Sequence, residues 1–426
     1  MIYGIDLGTT NTLICEYVSS QISPIVKSLV DFETKEIGVN SPNAKRSFKI
    51  NMSTGSEGQL SIACSSLVLA EVSKKFLNVK DVVITVPAYF SVSQREATRE
   101  AAILANLNPI ALVNEPTAAV MFYSKDKFCK TLVFDLGGGT FDVSIVDTRN
   151  GIFDVVDSQG IVLGGDDLNL AIFKDMQKNC DLKLHKLNEI DLFTLRNECE
   201  CAKIFVQTNN SSYTINNNFL SQSYTLTVNK YIELMKSTFK KCARKVLELK
   251  EKNFHENEKF SLLFVGGSTK CPYLRKWIEE LVKQESEPMY YNPYEIVAQG
   301  AAYYGYLVSE GLIYHKLKDI TAPIGVELYD GSMQVIIPKK SKLPISESTI
   351  LTNPKSGDGL IFNLYQGYSL VAKSNQFIGA LEYLFDEVRE EKSANVKVNL
   401  DLDLSGILTI IAKEFGKKEV TLKLKL

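Results

Sequence analysis

The feature that most constrains this chain is a glycine turn within residues 132–146. An apolar run ends at Asp135, three consecutive glycines follow shortly after, and alternating apolar and polar residues resume beyond Thr140. This pattern predicts a β-hairpin. Glycine lets backbone N–H groups approach an anion without interference from a Cβ atom, and a neighbouring carboxylate suits the hydrated Mg²⁺ that accompanies a phosphate. A purely structural turn is the alternative for a single motif of this kind.

The same arrangement recurs near the N-terminus, where an apolar run ends at Asp6 and Gly8. A third turn, at Gly266 and Gly267, follows an apolar run and precedes a helical pattern at residues 273–282. Two matched hairpins and a strand-turn-helix unit predict a duplicated α/β domain that holds a nucleotide between its halves. A P-loop is excluded, since no Gly-x-x-x-x-Gly-Lys-Ser/Thr sequence occurs.

Composition limits the classes of function. The 426 residues allow two or three domains, and a net charge of −2 gives no reason to expect a nucleic acid or an acidic membrane as partner. No apolar run is long enough for a transmembrane helix, and the chain starts directly in a predicted strand, so a cytosolic location is expected. The eight cysteines lack the spacing of a metal site and are expected to be reduced thiols.

The order of the predicted strands and helices is typical of an open α/β sheet, whose ligands lie beyond the carboxyl ends of its strands. Asp6, Glu115, Asp135 and the third glycine turn all lie at such ends. Ser93 and Glu96 have the spacing of a capping box that opens a helix. Helices are predicted at residues 60–76, 93–105, 117–123 and 231–252, with a last one ending at residue 309.

The character of the sequence changes from about residue 313. Short alternating runs, separated by Gly, Pro, Asn and Ser, predict an all-β sandwich there. The runs are residues 333–337, 360–365, 396–402, 408–413 and 420–424.

These motifs are specific enough to support a resemblance. The chain resembles the 70-kDa heat-shock chaperone family, which belongs to the actin, sugar-kinase and chaperone ATPase superfamily. The matching segments are residues 4–11, 86–90 with 93–95, 114–119, 135–143, 164–166, 265–269, and 401–403 with 406–408. The resemblance implies a duplicated actin-like (ribonuclease H-like) α/β ATPase domain followed by an all-β peptide-binding sandwich. The implied boundaries are residues 1–312 for the ATPase domain, 313–322 for a linker and 323–426 for the sandwich.

The resemblance also implies a catalytic set. Asp6 and Asp135 would orient Mg²⁺ and its waters, and Glu115 would help to place the attacking water. A lysine would reach the γ-phosphate, for which Lys49 matches best and Lys45 is the alternative. The full catalytic set is Lys49, Glu115, Asp135, Thr140 and Asp142.

A larger set of residues would bind the nucleotide itself, through backbone amides around the phosphates and side chains around the adenosine. The set is Gly8, Thr9, Thr10, Asn11, Gly137, Gly138, Gly139, Thr140, Gly165, Glu200, Lys203, Gly266, Gly267, Ser268 and Lys270.

The chain departs from the family's pattern in the adenosine pocket. Ile204 and Gln207 stand where the family has an arginine and a serine, Lys270 replaces an arginine, and Tyr294 replaces an aspartate. Loss of cation–π stacking over the base predicts ATP binding weaker than the family norm by about 1 kcal/mol or more. The segment between the first hairpin and residue 82 is also shorter than in the family, so one outer subdomain is reduced.

The sandwich carries apolar or aromatic residues at the positions that contact peptide in the family, as strand addition to a sheet requires. Core packing is the alternative for each of them. They are Val326, Tyr329, Leu351, Leu360 and Phe362. The linker lacks the family's leucine-rich sequence, which predicts weak or altered coupling. Since no helical lid follows Leu426, bound peptide is expected to exchange rapidly.

The function implied is an ATP-dependent chaperone of weak ATPase activity, which binds extended hydrophobic peptide segments under the control of ATP hydrolysis. Its cofactors would be ATP or ADP and Mg²⁺, with K⁺ as a further cation. Its partners would be unfolded peptides, a J-domain co-chaperone and a nucleotide-exchange factor. The alternative is a nucleotide-binding interaction module with little or no hydrolysis. A sugar kinase or actin-type filament is disfavoured, because the β-sandwich has no place in those classes.

Overall fold

The computed structural model describes most of the chain. The residues outside the described part are 53–55, 124–128, 150–151, 181, 183–186, 257, 287–290, 313–316, 319–321, 340, 342, 404, 415–416, 418–419 and 423–426. The predicted mixed α/β class is confirmed: two lobes, each built on a sheet, precede a sandwich of two sheets.

The sheet of the first lobe is centred on a hairpin at the N-terminus. Its strands are β1 (Ile2–Leu7), β2 (Asn11–Glu16), β3 (Gln21–Ile22), β4 (Val26–Lys27), β5 (Asp81–Val86) and β6 (Asn108–Asn114). β1 pairs antiparallel with β2 and parallel with β5, and β5 pairs parallel with β6. The short strands β3 and β4 both pair with β2.

The sheet of the second lobe repeats this plan. Its strands are β7 (Lys130–Leu136), β8 (Phe141–Asp147), β9 (Phe153–Ile161), β12 (Ser261–Val265) and β13 (Leu317–Lys318), and a separate hairpin is formed by β10 (Tyr213–Ile215) and β11 (Tyr224–Leu226). β7 pairs antiparallel with β8 and parallel with β12, as β1 does with β2 and β5. The predicted duplication is therefore visible in the pairing of the strands.

Helices cover both faces of these sheets. They are α1 (Ser56–Ser73), α2 (Val92–Leu104), α3 (Glu115–Tyr123), α4 (Gly165–Asn179), α5 (Glu189–Asn209), α6 (Val228–Thr238), α7 (Lys240–Asn253), α8 (Pro272–Val282) and α9 (Ile296–Ser309). α3, α9 and both sheets contribute to one buried apolar cluster. Where α3 meets α9, a Cβ atom on Gly300 would lie 1.9 Å from the carbonyl oxygen of Ala118, so only glycine fits this crossing.

The capping box of α2 differs from the prediction. The hydroxyl of Ser91, not that of Ser93, accepts a hydrogen bond from the backbone N–H of Gln94 at 3.3 Å. The side-chain oxygen of Gln94 accepts one in return from the Ser91 N–H at 3.1 Å. Ser93 and Glu96 lie inside the helix, because Ser91 is the last residue with an extended backbone, which a capping residue requires.

The prediction of one long helix at residues 231–252 is also wrong. The chain bends at Phe239, whose backbone angles of φ −92° and ψ 13° end α6 and begin α7. Phe239 is 2 % exposed in the apolar core of the second lobe. The bend between α6 and α7 thus occurs at a residue whose ring is buried in this core.

The C-terminal part is the predicted sandwich. One sheet contains β14 (Ile324–Glu327), β15 (Met333–Ile337), β17 (Gly357–Gln366) and β18 (Gln376–Arg389), and the other contains β16 (Ile345–Thr352), β19 (Asn395–Leu402), β20 (Leu408–Glu414) and β21 (Val420–Leu422). Apolar side chains of both sheets form its core. Most of the predicted linker at residues 313–322 lies outside the described residues; of the rest, β13 pairs in parallel with β9.

The sandwich packs against the first lobe. Val92 of α2 is buried in the sandwich core, and Ile407 of the sandwich is buried in the core of the first lobe. Arg95, 1 % exposed, donates hydrogen bonds to the Ser405 carbonyl oxygen at 3.2 Å and to Oδ1 of Asn114 at 2.6 Å. Each unit thus supplies side chains to the interior of the other.

The remaining general predictions concern cysteines and membrane spans. All eight cysteines are free thiols, and six of them are buried. None of the helices in the described part of the chain is long and apolar enough to cross a membrane.

A candidate nucleotide site between the lobes

A cavity of about 150 Å³ lies between the two lobes, beyond the carboxyl ends of β1, β6, β7 and β12. It brings together every predicted catalytic, nucleotide and metal residue except Gly139 and Lys270. Those that line it are Asp6, Gly8, Thr9, Thr10, Asn11, Lys49, Glu115, Asp135, Gly137, Gly138, Thr140, Asp142, Gly165, Glu200, Lys203, Gly266, Gly267 and Ser268.

The turns of the two hairpins touch each other across this cavity. A Cβ atom on Gly138 would lie 2.4 Å from Oγ1 of Thr10, and one on Gly139 would lie 3.1 Å from Cγ2 of Thr9. Gly139 therefore supports the opposite turn, although it does not line the cavity. The hydroxyl oxygen of Thr10 is buried and has no hydrogen-bond partner among the described residues, so it is available to a ligand.

The second turn is oriented by its neighbours. The first N–H groups of α4, from Gly165 and Asp166, donate to the carbonyl oxygens of Gly137 and Gly138 at 3.0 and 2.8 Å. The Ser268 hydroxyl also donates to the Gly137 carbonyl at 2.9 Å. In a trans peptide the C=O and the following N–H point in opposite directions. The N–H groups of the residues after Gly137 and Gly138 consequently point away from α4, where they can meet an anion.

Four carboxylates converge in the cavity. Burial raises the pKa of Asp135 and of Asp142 well above the usual range, and the negative charge of Glu115 raises both further. Burial and Glu115 also raise the pKa of Asp6, whose Oδ1 accepts a hydrogen bond from Thr85 at 3.0 Å. Mutual repulsion of this kind favours the entry of cations.

A magnesium ion fits this electrostatic environment. Asp6 and Asp135 supply carboxylate oxygens, and Mg²⁺ is usually bound by one or two carboxylates together with water and substrate phosphates. In the described part of the chain, no group of three His, Cys, Asp or Glu side chains is arranged to hold a metal on its own. The donor set therefore suits an ion that arrives with a phosphate.

The lysine in the cavity is Lys49. It lies in a 3-10 helix, Phe48–Asn51, which begins after Ser47 in a left-handed conformation with φ 53°. Lys49 is 2 % exposed, and its Nζ donates to Oε1 of Glu115 at 2.6 Å. Lys45, the alternative, is exposed at the surface. The position of Lys49 in the cavity supports the first choice.

Sequence reasoning missed two polar side chains that support the acidic groups. Thr85 donates a hydrogen bond to Asp6 from the neighbouring strand, and Tyr89 lies beside Asp142 next to Gly160. Burial, followed by the charge of Asp142, raises the pKa of Tyr89, which keeps its hydroxyl protonated. A threonine within an otherwise apolar strand, at residues 82–86, was the available signal for Thr85.

The end of the cavity that is predicted to hold adenosine contains the residues that depart from the family's pattern. Ile204, Gln207 and Tyr294 line it. A Cβ atom on Gly267 would lie 2.1 Å from the ring of Tyr294, so this ring covers the third glycine turn. Lys270 is exposed, and its Nζ lies 4.4 Å from the centroid of the same ring.

The predicted peptide-binding residues divide into two groups. Tyr329, in the turn after β14, is 76 % exposed. The other four lie in the core of the sandwich and are at most 8 % exposed: Val326, Leu351, Leu360 and Phe362. Core packing thus describes these four in the present arrangement, and their contact with peptide stays a prediction.

Comparison with known proteins agrees with the architecture. A family model described as Hsp70 protein matches residues 65–424. The chain is 31 % identical to the chaperone protein DnaK of Ureaplasma urealyticum serovar 10, in an alignment covering 100 % of this chain and 78 % of the relative. It is 31 % identical to DnaK of Mycoplasma mobile (97 % and 76 % covered) and 30 % identical to DnaK of Thermotoga petrophila (97 % and 78 % covered).

Proposed function

Because the chain belongs to the Hsp70 family, we propose that it is an ATP-dependent chaperone in which nucleotide in the cavity between the lobes controls how the sandwich holds extended hydrophobic peptide. Domain boundaries at residues 1–312, 313–322 and 323–426 accompany this proposal. So do the partners implied by the family, namely unfolded peptides, a J-domain co-chaperone and a nucleotide-exchange factor, and a cytoplasmic location. A role for K⁺ stays a prediction.

The observation that carries the proposal is the meeting of a buried lysine, four carboxylates and two glycine turns in one cavity. Hydrolysis of ATP depends mainly on positioning and on neutralising charge. The turns offer N–H groups to the phosphates, and Lys49 offers an ammonium group that Glu115 holds in place at 2.6 Å.

The acidic residues have separate roles in this scheme. Asp6 and Asp135 would hold Mg²⁺, which when bound neutralises phosphate charge. Oδ1 of Asp142 is buried without a hydrogen-bond partner among the described residues, so it can accept a hydrogen bond from the attacking water. The ring of Tyr89 and Oδ1 of Asp142 lie side by side next to Gly160, so Tyr89 limits the space available to that carboxylate.

The alternative, an interaction module without hydrolysis, is not favoured. It depended partly on the absence of a clearly placed lysine, and Lys49 is only 2 % exposed within the cavity. The altered adenosine end remains consistent with weak nucleotide binding and slow turnover.

Steady-state release of phosphate, with Mg²⁺ and with or without an unfolded peptide, tests the proposal. Lys49→Ala should lower kcat by about 100-fold or more, because it removes a charge that stabilises the transition state. Lys45→Ala is the matched control and should leave the rate unchanged, since that side chain is exposed. Turnover no faster than buffer in the unaltered protein would contradict the proposal.

A further inference from the structure

One residue beside the cavity has an unusual backbone. In the described part of the chain, eight residues other than glycine have a positive φ. Three of them lie where this left-handed conformation is common: Asn210 and Lys283 end α5 and α8, and Ser20 lies in the exposed turn after β2. Ser47 differs, because it begins the short helix that carries Lys49, with φ 53° and ψ 24°. A residue at the start of a helix normally has an extended backbone.

Capping of the helix does not explain this conformation. The side chain of Ser47 makes no hydrogen bond to the start of the helix, although such a bond is the usual reason for a serine there. Its carbonyl oxygen accepts the Ile50 N–H at 3.2 Å, which any residue could do. A left-handed conformation in a residue with a Cβ atom costs free energy, and such costs are concentrated at functional sites. The strain at Ser47 therefore has to be offset by what this residue positions.

The change of direction at Ser47 brings the chain from the surface into the protein. Lys45 and Arg46, just before it, are exposed. Phe48 and Met52, after it, are buried in the apolar core of the first lobe. These two side chains fix the short helix on that core. Ser47 is thus the point at which an exposed segment becomes a fixed one.

The fixed helix directs Lys49 into the cavity. Successive side chains of a 3-10 helix point about 120° apart, so Lys49 points away from the core that Phe48 enters. Its ammonium group reaches Oε1 of Glu115 at 2.6 Å and lies 5.8 Å from the centroid of the Phe90 ring. The place of this charge consequently depends on the direction in which the helix leaves Ser47.

Ser47 also faces the opposite lobe. A Cβ atom on Gly139 would lie 3.5 Å from Oγ of Ser47 and 3.1 Å from Cγ2 of Thr9. The second glycine turn therefore lies against both the first turn and the residue that precedes the lysine helix. In this closed arrangement of the lobes, the second turn supports Ser47 from the other side and opposes a change in its backbone.

We propose that Ser47 is a positioning residue: its left-handed backbone, supported by the second glycine turn, holds the ammonium group of Lys49 inside the cavity. The inference rests on the proposed function only for the use of that ammonium group in hydrolysis. The position of Lys49 itself can be measured without nucleotide.

Labelling of the full chain with acetic anhydride, followed by mass spectrometry, tests the position of Lys49. Lys45 is an exposed internal reference in the same segment. In the unaltered protein Lys49 should react at least about tenfold more slowly than Lys45, since a buried amine reacts only when the structure opens locally. Ser47→Val should reduce this difference to about threefold or less, because a β-branched residue disfavours a positive φ. An unchanged difference would overturn the inference.

A rescue variant and a matched control accompany this experiment. Glycine adopts a positive φ without strain, so Ser47→Gly should keep the slow labelling of Lys49 although the hydroxyl is lost. Ser20 has φ 54° in an exposed turn, so Ser20→Val makes the same substitution in the same backbone conformation away from the cavity. It should leave the labelling of Lys49 unchanged. Equally fast labelling of Lys49 in Ser47→Val and Ser47→Gly, or fast labelling in Ser20→Val, would overturn the inference.

Steady-state release of phosphate connects the inference with the proposed function. Ser47→Val should lower kcat by about tenfold or more with little change in KM, since a misplaced catalytic group loses its effect on the transition state. Added to a protein that already carries Lys49→Ala, Ser47→Val should cause no further loss, because both changes act through one group. A further loss by the same factor would overturn the inference. Slow labelling of Lys49 without any turnover in the unaltered protein would contradict the proposed function and leave the positioning of Lys49 intact.

Discussion

The two hairpins that face each other across the cavity share a plan but differ at their turns. The first turn carries the side chains of Thr9 and Thr10, and the second has glycines at 138 and 139, so that threonine methyl groups and hydroxyls pack against a backbone without side chains. The duplicated units have therefore diverged into complementary surfaces. The first turn provides threonine side chains with a hydroxyl that is available to a ligand. The second turn, which has no side chains, leaves room for them and provides backbone N–H groups.

The largest effect is expected when this complementarity is removed. Gly138→Ala would place a Cβ atom 2.4 Å from Oγ1 and 2.9 Å from Cβ of Thr10, which forces the lobes apart. Overpacking of this kind costs about 1–3 kcal/mol, so affinity for ADP should fall by about 10- to 100-fold in calorimetry. Gly357→Ala, in β17 of the sandwich with nothing within 4 Å of the added carbon, controls for glycine replacement in general. Unchanged affinity would show that the turns do not need to touch.

A smaller difference is expected between alanine substitutions at the first glycine of each turn, Gly8 and Gly137. A Cβ atom on Gly8 would lie 2.2 Å from the carbonyl oxygen of Asn11, whereas one on Gly137 would meet its nearest neighbour, the Thr140 carbonyl oxygen, at 3.6 Å. Gly8→Ala should lower the free energy of unfolding by about 1–3 kcal/mol, and Gly137→Ala should leave it nearly unchanged. Chemical denaturation of both variants without nucleotide measures this. Equal losses would mean that the two turns are sterically equivalent.

The smallest effect concerns the reduced segment of the first lobe. Asn40 donates to Oδ1 of Asn197 on α5 at 3.0 Å, and Arg46 donates to Oδ1 of Asn40. This chain of hydrogen bonds joins the lobes at the partly exposed side of the cleft. Asn40→Ala should speed the release of a fluorescent ADP analogue by about two- to tenfold, as expected for one lost hydrogen bond.

Asn43→Ala is the matched control for that experiment. Asn43 lies in the same segment, but its amide donates at 2.8 Å to Glu33 within the first lobe. If both variants release the analogue at the same rate, the contact between Asn40 and Asn197 does not hold the lobes together.

Short strands with clear patterns could be predicted from the sequence, and longer-range features could not. The strand before Pro87 and the two hairpins have continuous or alternating apolar runs, because each is buried on at least one face. β18 was missed: Leu381 and Phe385 are buried, but Leu384 between them is 66 % exposed, so the alternation is masked by an apolar residue on the outer face.

In the candidate site, too, local features could be predicted from the sequence and long-range contacts could not. Its glycines and carboxylates were identified because they follow apolar strands, which is a local signal. Thr85 and Tyr89 act on residues distant in sequence, so their roles depend on the packing of the lobes. The match to the family already favoured Lys49 over Lys45, whereas the burial of Lys49 in the cavity depends on the packing of the lobes.

Val92 of the first lobe is buried in the core of the sandwich, and Ile407 of the sandwich is buried in the core of the first lobe. Separation of the two units would bring both side chains into contact with water, at about 1.5–3 kcal/mol for each. The interface between the sandwich and the first lobe is therefore expected to be either fully formed or fully separated, with partly separated arrangements disfavoured.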